Sequence, residues 1–220
     1  RFDLLPVPVF KTGAYQRFSA SYAHLEEDFG QVIPEIDQDS QSDRFDFTYR
    51  IERPMLLADW LTLTPLAGAR VTHYENQEMD PLALGRYNDP YSSAPVGASL
   101  EDDHYTREIY EVGFDLEARA YATYTTQNKM WKINGLRHVL RPVLRYRYFS
   151  DPDAKDEIAA IDRTAFDLDR PMLDLSDLRN VDSISETHLT RLGVENLFQT
   201  RAKGYGSRTL AALNFYQDIL

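Results

Sequence analysis

Residues 110–124 read YEVGFDLEARAYATY. Val112, Phe114, Leu116, Ala118, Ala120 and Ala122 take alternate positions. Glu111, Asp115, Glu117 and Arg119 stand between them, with Gly113 and Tyr121 completing the second row. Successive side chains of an extended chain point to opposite faces, so this stretch is a strand with one oily face and one ionic face. An average strand holds about 5–6 residues, and this alternation runs more than twice as far.

The same reading applies along the chain. RFDFTYRIER (44–53) sets Phe45, Phe47, Tyr49 and Ile51 against Arg44, Asp46, Thr48, Arg50 and Glu52. WLTLTPLAGARVTHY (60–74) sets Leu61, Leu63, Pro65, Ala67, Ala69 and Val71 against Thr62, Thr64, Gly68, Arg70 and Thr72. GLRHVLRPVLRYRYF (135–149) sets Leu136, Leu140, Pro142, Leu144, Tyr146 and Tyr148 against Arg137, Arg141, Arg145 and Arg147. Weaker versions occupy 15–25, 188–201 and 207–219, and the first ten residues form an eighth, proline-broken candidate. Period-two alternation repeated this often predicts an antiparallel all-β chain of about eight strands.

Composition narrows the function. The 220 residues carry a net charge of −11, the wrong sign for a phosphate-binding nucleic-acid surface. Cysteine is absent, which excludes disulfides and thiolate metal sites within the chain. No apolar run approaches the ~18–20 residues of a membrane helix, but a membrane β-barrel leaves little hydropathy signal because only half of each strand is apolar. The opening RFDLLPVPVF lacks the features of a secretory signal, so an exported protein is expected to have this chain inside a longer precursor.

Connections alternate in length. The segments 125–134 and 202–206 are compact, whereas 26–42, 75–104 and 150–186 are long and acidic. Short turns at one end and long loops at the other mark an outer-membrane barrel, while loops in compact soluble domains have a median of about 4–6 residues. Tyr74, Tyr110, Tyr124, Tyr146, Tyr148 and Phe215 near strand ends read as interfacial girdles, or as aromatic packing in a soluble sheet. Spacing alone leaves both open.

In a barrel, a charge facing the lipid midplane costs about 2–4 kcal/mol, so the ionic rows face the lumen. The expected lumen-facing residues are Arg44, Asp46, Arg50, Arg70, Glu111, Asp115, Glu117, Arg119, Arg137, Arg141, Arg145, Arg147, Arg191 and Glu195. The expected lipid-facing residues are Phe45, Phe47, Tyr49, Ile51, Leu61, Leu63, Val71, Val112, Phe114, Leu116, Leu140, Leu144 and Tyr146. Arg137, Arg141, Arg145 and Arg147 form a stripe that can meet oxyanions. The simpler expectation is neutralisation by Glu111, Asp115 and Glu117 on neighbouring strands. The five histidines, at 24, 73, 104, 138 and 188, have no metal-ligand spacing. No catalytic constellation emerges, and neither an enzyme nor a cofactor is expected.

The order of several segments carries a family resemblance. RFDLLPVP, RIERPMLLADWLTLTPLAGARVTHYE, TREIYEVGFDLEARAY, GLRHVLRPVLRYRYFSDPD, FDLDRPMLDLSDLRNVDSISETHLTRLGVENLFQTR and GSRTLAALNFYQDIL follow one another as in the LPS-assembly protein LptD (organic solvent tolerance protein) family. The chain resembles a segment of that family's C-terminal barrel over essentially all of residues 1–220. Where the family has a Gly-Asp-Arg-like turn, residues 179–185 read RNVDSIS, without the glycine and the final arginine. No role tied to that turn carries over.

The resemblance implies an antiparallel transmembrane β-barrel segment in the outer membrane of a Gram-negative bacterium. It is one slice of a barrel of about 26 strands that inserts lipopolysaccharide into the outer leaflet. It also implies outer-membrane lipids, a lipoprotein plug like LptE and periplasmic Lpt bridge components as partners. Two rivals stand beside it: a self-contained eight-stranded barrel with a structural or adhesive role, and a soluble carbohydrate-binding sandwich. The sandwich hides its apolar rows between sheets, whereas the barrel exposes them.

Overall fold

Alternation becomes strand wherever the chain is described. The computed structural model describes residues 1–27, 40–78, 104–152, 172, 174, 175, 186–204 and 206–220. Its strands are β1 (Phe2–Pro8), β2 (Tyr15–Glu27), β3 (Ser40–Glu52), β4 (Met55–Ala58), β5 (Leu61–Glu78), β6 (Tyr105–Ala118), β7 (Ala120–Asn128), β8 (Ile133–Phe149), β9 (Thr187–Arg201) and β10 (Ser207–Ile219). They make one antiparallel ten-stranded sheet in the order β1-β2-β3-β5-β6-β8-β9-β10, with β4 on β5 and β7 on β8. This is an up-and-down meander. Among the described residues β1 pairs only with β2 and β10 only with β9, so the order is open at both ends.

The expected eight strands are present, two of them interrupted. Pro54 has no N–H to donate, which separates β3 from β4. The ladder runs up to the proline, with the Arg53 amide donating to the Pro65 carbonyl at 3.0 Å, and resumes beyond it with Met55 opposite Leu63. Sequence reading passed over β4 because its four residues, MLLA, are too short and too uniformly apolar to alternate. The 110–124 stretch is likewise not one strand. It breaks at Arg119, whose amide donates to Trp60 O at 2.8 Å, in the tight turn 59–60 that closes the β4–β5 hairpin. The compact 125–134 segment shrinks to a turn at 129–132, because the strands continue into it. There the Trp131 amide donates to the Asn128 side chain at 3.0 Å, and Lys132 adopts a φ of 52°.

Short connections lie at 9–14, 59–60, 129–132 and 202–206, and long ones at 28–39, 79–104 and 150–186. Most of the long acidic segments, including RNVDSIS, fall outside the described residues. No helix among the described residues is long and apolar enough to cross a membrane.

Two units divide the chain, cutting across β3, β5, β6, β8 and β9: Arg1–Ile51, Ala67–Glu111 and Phe149–Thr187 form one, and Glu52–Leu66, Val112–Tyr148 and His188–Leu220 the other. In the first, Phe2, Phe18 and Phe47 form a row across β1, β2 and β3 with ring centroids 5.7 and 6.0 Å apart. Ile109, Phe149 and Leu175 make a small buried cluster. In the second, β9 and β10 pair from Arg201↔Ser207 to Thr190↔Ile219, and His138 stacks on Phe198 at 4.4 Å.

Burial runs opposite to a soluble sheet, in which polar rows are solvated and apolar rows are packed. Arg44, Asp46, Thr48, Arg50, Arg70, Thr72, Arg107, Glu111, Arg147 and Arg191 are buried, while Phe45, Phe47, Tyr49, Val71, Val112, Val194 and Phe215 are exposed. Within β3 the two classes alternate residue by residue from Arg44 to Arg50. One of the expected girdle aromatics departs from this. Tyr74 is completely buried under the Arg107 guanidinium, 6.0 Å from its ring centre. Its even number puts it in the row of Arg70 and Thr72, so the correction follows from the alternation itself. Tyr110, Tyr124 and Phe215 are exposed as expected.

Candidate functional site

The candidate site is the ionic face. In the first unit it is assembled on β2, β3, β5 and β6, with a piece of the β8–β9 connection laid against it. Arg70 grips Asp46 with a bidentate fork, Nε to Oδ1 and Nη2 to Oδ2, both at 2.7 Å. Thr72 donates to the same carboxylate at 2.8 Å. Both ends of the Arg70–Asp46 pair are essentially closed to solvent. Fork-to-carboxylate pairing of this kind holds buried charges because each lone pair meets a donor.

The remaining Nη1 of Arg70 donates to the carbonyl of Leu175 at 2.7 Å. Leu175 packs over Gly68, where an added Cβ would lie 3.2 Å from its Cδ1 and 3.0 Å from the Tyr49 carbonyl. Asp174 accepts from both Arg17, at 2.8 Å, and Arg50, and Arg50 stands 3.9 Å from Glu111. Next to them the Ser19 and Thr48 hydroxyls share a buried hydrogen bond of 2.6 Å.

In the second unit the ionic face runs over β6, β8, β9 and β10. Arg141 donates Nε to Glu195 at 2.8 Å. Arg145 bridges Glu117 and Glu195, 3.3 Å from each, and Tyr216 donates to Glu195 at 2.8 Å. Arg147 pairs with Asp115 at 2.7 Å and donates to the carbonyls of Tyr146 and Phe114 at 2.9 and 3.2 Å. Arg147 lies flat across β6 because position 113 is glycine. A Cβ there would sit 2.3 Å from the Tyr146 carbonyl and 3.0 Å from Arg147 Cδ. The same device recurs at Gly193, whose missing side chain leaves room for the Tyr216 ring, 2.4 Å from an added Cβ. Arg191 lies over that ring at 5.3 Å and pairs with Asp218 at 2.7 Å. A cavity of about 640 Å³ opens here, lined by Trp60, Glu117, Arg119, Arg141, Glu195 and Asn214.

The arginine stripe is therefore largely neutralised, as expected, though the partners differ in part. Glu195 on β9 serves two of the four arginines, a role that spacing within one strand does not reveal. Glu111 also stands 3.9 Å from Arg50 on β3. Arg137 is outside the ionic network and stacks over Tyr121 at 5.1 Å.

Of the other ionic-row candidates, Arg44 is buried, and Arg119, Arg137 and Arg141 are exposed. Along the apolar row, Ile51, Leu61, Leu63, Phe114, Leu116, Leu140, Leu144 and Tyr146 are half-buried. Its polar members are hydrogen-bonded: His73 to Thr106 at 2.7 Å, His138 to Asn196 at 3.0 Å, and both Tyr22 and His24 to Asp43. Sequence reading missed Arg17, Arg107, Asp174, Leu175, Tyr216 and Asp218. The first two lie in alternating rows and were legible; Asp174 sits in a long connection with no periodicity to mark it.

No group of His, Asp and Glu among the described residues is arranged to hold a metal ion. The described sheet thus presents an ionic, cavity-bearing face and an exposed aromatic face. No curated protein matches the chain. A family model does: LPS transport system D matches residues 8–218. That span takes in all but the two ends of the described sheet, and the chain belongs to the LptD family, a family of the LPS transport system.

Proposed function

We propose that residues 1–220 are part of the C-terminal barrel of an outer-membrane translocon that carries lipopolysaccharide to the outer leaflet of a Gram-negative bacterium. The observation that carries this reading is the inverted burial of β3, with Arg44, Asp46, Thr48 and Arg50 buried between exposed Phe45, Phe47 and Tyr49, in a chain of an LPS transport family. Lipid tolerates the aromatic row and rejects the ionic one, so the apolar face meets lipid and the ionic face lines the lumen. Sugars and phosphates are solvated there by arginine, carboxylate and tyrosine groups. A lipoprotein plug and periplasmic bridge components of the Lpt system are the partners this role requires. A soluble sandwich is disfavoured because its apolar rows would be packed, and a self-contained eight-stranded barrel because, among the described residues, β1 and β10 each have a single ladder.

A photo-reactive side chain at Asn214 tests this in the full-length protein in cells. Asn214 is exposed, lies opposite Glu195 and lines the ionic-face cavity. Covalent lipopolysaccharide adducts are expected at this position. A correctly assembled protein that never yields them would overturn the transport role of this face.

A further inference from the structure

The sheet has a step where β6 gives way to β7. Arg119 donates to Trp60, in the turn that precedes β5. Beyond that bond β7 runs nine residues further, roughly 30 Å at about 3.3 Å per residue. Among the described residues it pairs with β8 alone. From Ala120 to Tyr124 the register against β8 is regular. Backbone groups of successive residues point to opposite edges of a strand. The Arg119 amide points away from β8, toward Trp60. The Tyr124 carbonyl points toward β8, 3.7 Å from where a Cβ on Gly135 would lie. The amides and carbonyls of Tyr121 and Thr123 therefore face the open edge.

Sheet edges are ordinarily blunted by charge or proline. The β7 sequence, AYATYTTQN, holds neither, and every residue in it except Ala122 is exposed. Its tyrosines and threonines favour extended chain. The surroundings are of one sign. Residues 118–150 and 196–217 contain no Asp or Glu, in a chain whose net charge is −11. Arg119, Lys129, Lys132, Arg137, Arg201 and Lys203 are all exposed. A cavity of about 440 Å³ adjoins the edge, lined by Thr123, Thr125, Gln127, Arg137 and Arg201. We propose that β7 is a strand-addition site for an extended, acidic segment of a partner protein. Main-chain hydrogen bonds to Tyr121 and Thr123 hold the segment, and carboxylates at its alternate positions meet Arg137 and Arg201. A second copy of this chain is a poor occupant, since two cationic edges repel. An anionic lipid surface would meet the charges but not the row of backbone donors and acceptors. The proposal does not depend on what the ionic face carries.

The test uses the full-length protein in lipid nanodiscs with a photo-reactive side chain replacing Thr125, which is exposed and lines the cavity. Two synthetic peptides are offered, one alternating threonine with glutamate and the other threonine with lysine. The acidic peptide is expected to label about tenfold more than the basic one, the scale of two or three exposed ion pairs. It should also slow hydrogen exchange at the Tyr121 and Thr123 amides. Thr123→Pro is tolerable at an open edge, with assembly checked by heat-modifiable mobility, and should abolish labelling, whereas Thr123→Val should keep it. Arg137→Glu should weaken the preference for the acidic peptide. Equal labelling by the two peptides, no labelling by either, or a preference that Arg137→Glu leaves unchanged would overturn the acidic occupant. Labelling that survives Thr123→Pro with exchange unaltered would reduce the site to charge attraction and overturn strand addition. Crosslinks to a second copy or to lipid that the acidic peptide does not displace would assign the edge to that occupant and overturn the proposal.

Discussion

At the scale of residues, the ionic face is held by forks rather than by isolated charges. Arg70 and Asp46 are the clearest case, with every donor of the fork directed at an oxygen and neither side chain open to solvent. Removing one partner of such a pair strands the other charge, at a cost of about 3–5 kcal/mol. Asp46→Asn is therefore expected to lower the unfolding free energy of the full-length protein in detergent by about that amount, read from urea titration. A change under about 1 kcal/mol would mean that the pair is not closed off from water. Which residues alternate was legible from sequence, since burial in β3 follows the period of two position by position. Which residues pair was not. Glu195 serves Arg141 and Arg145, and Asp174 serves Arg17 and Arg50, because pairing depends on strand register and on a connection that crosses the face. Neither leaves a local signature.

At the scale of elements, two interruptions and three glycines shape the strands. Pro54 ends β3 for lack of a donor, and Arg119 ends β6 where the β4–β5 turn supplies a carbonyl from Trp60. The first was legible as a proline. The second was not, because the alternation of 110–124 passes through Arg119 without a break. Gly68, Gly113 and Gly193 sit in the ionic row where a neighbouring side chain or backbone comes within about van der Waals contact of a missing Cβ. They look like gaps in the sequence pattern and are packing sites in the fold. The alternation also makes register strict, since a slip of one residue exchanges the two faces. Inserting one alanine between Leu116 and Glu117 is expected to turn one end of β6 ionic side out and to abolish assembly of the full-length protein in the outer membrane, followed by heat-modifiable gel mobility. Normal assembly of that insertion would show that the two faces of β6 are not in distinct environments.

At the scale of the molecule, the up-and-down order with alternating short and long connections is the architecture that alternation and loop length anticipated, and the family match extends over residues 8–218. The central claim is that the exposed apolar row meets lipid while the ionic row meets water. Single added tryptophans at Val112, Phe114 and Leu116, against others at Ala212 and Asn214, test it most directly in the full-length protein reconstituted with brominated lipids. Ala212 and Asn214 lie opposite Leu197 and Glu195 on the ionic face and are open enough to accept an indole. Strong quenching at 112, 114 and 116 with little at 212 and 214 is the predicted result. Equal quenching of the two rows, or none in either, would contradict the account.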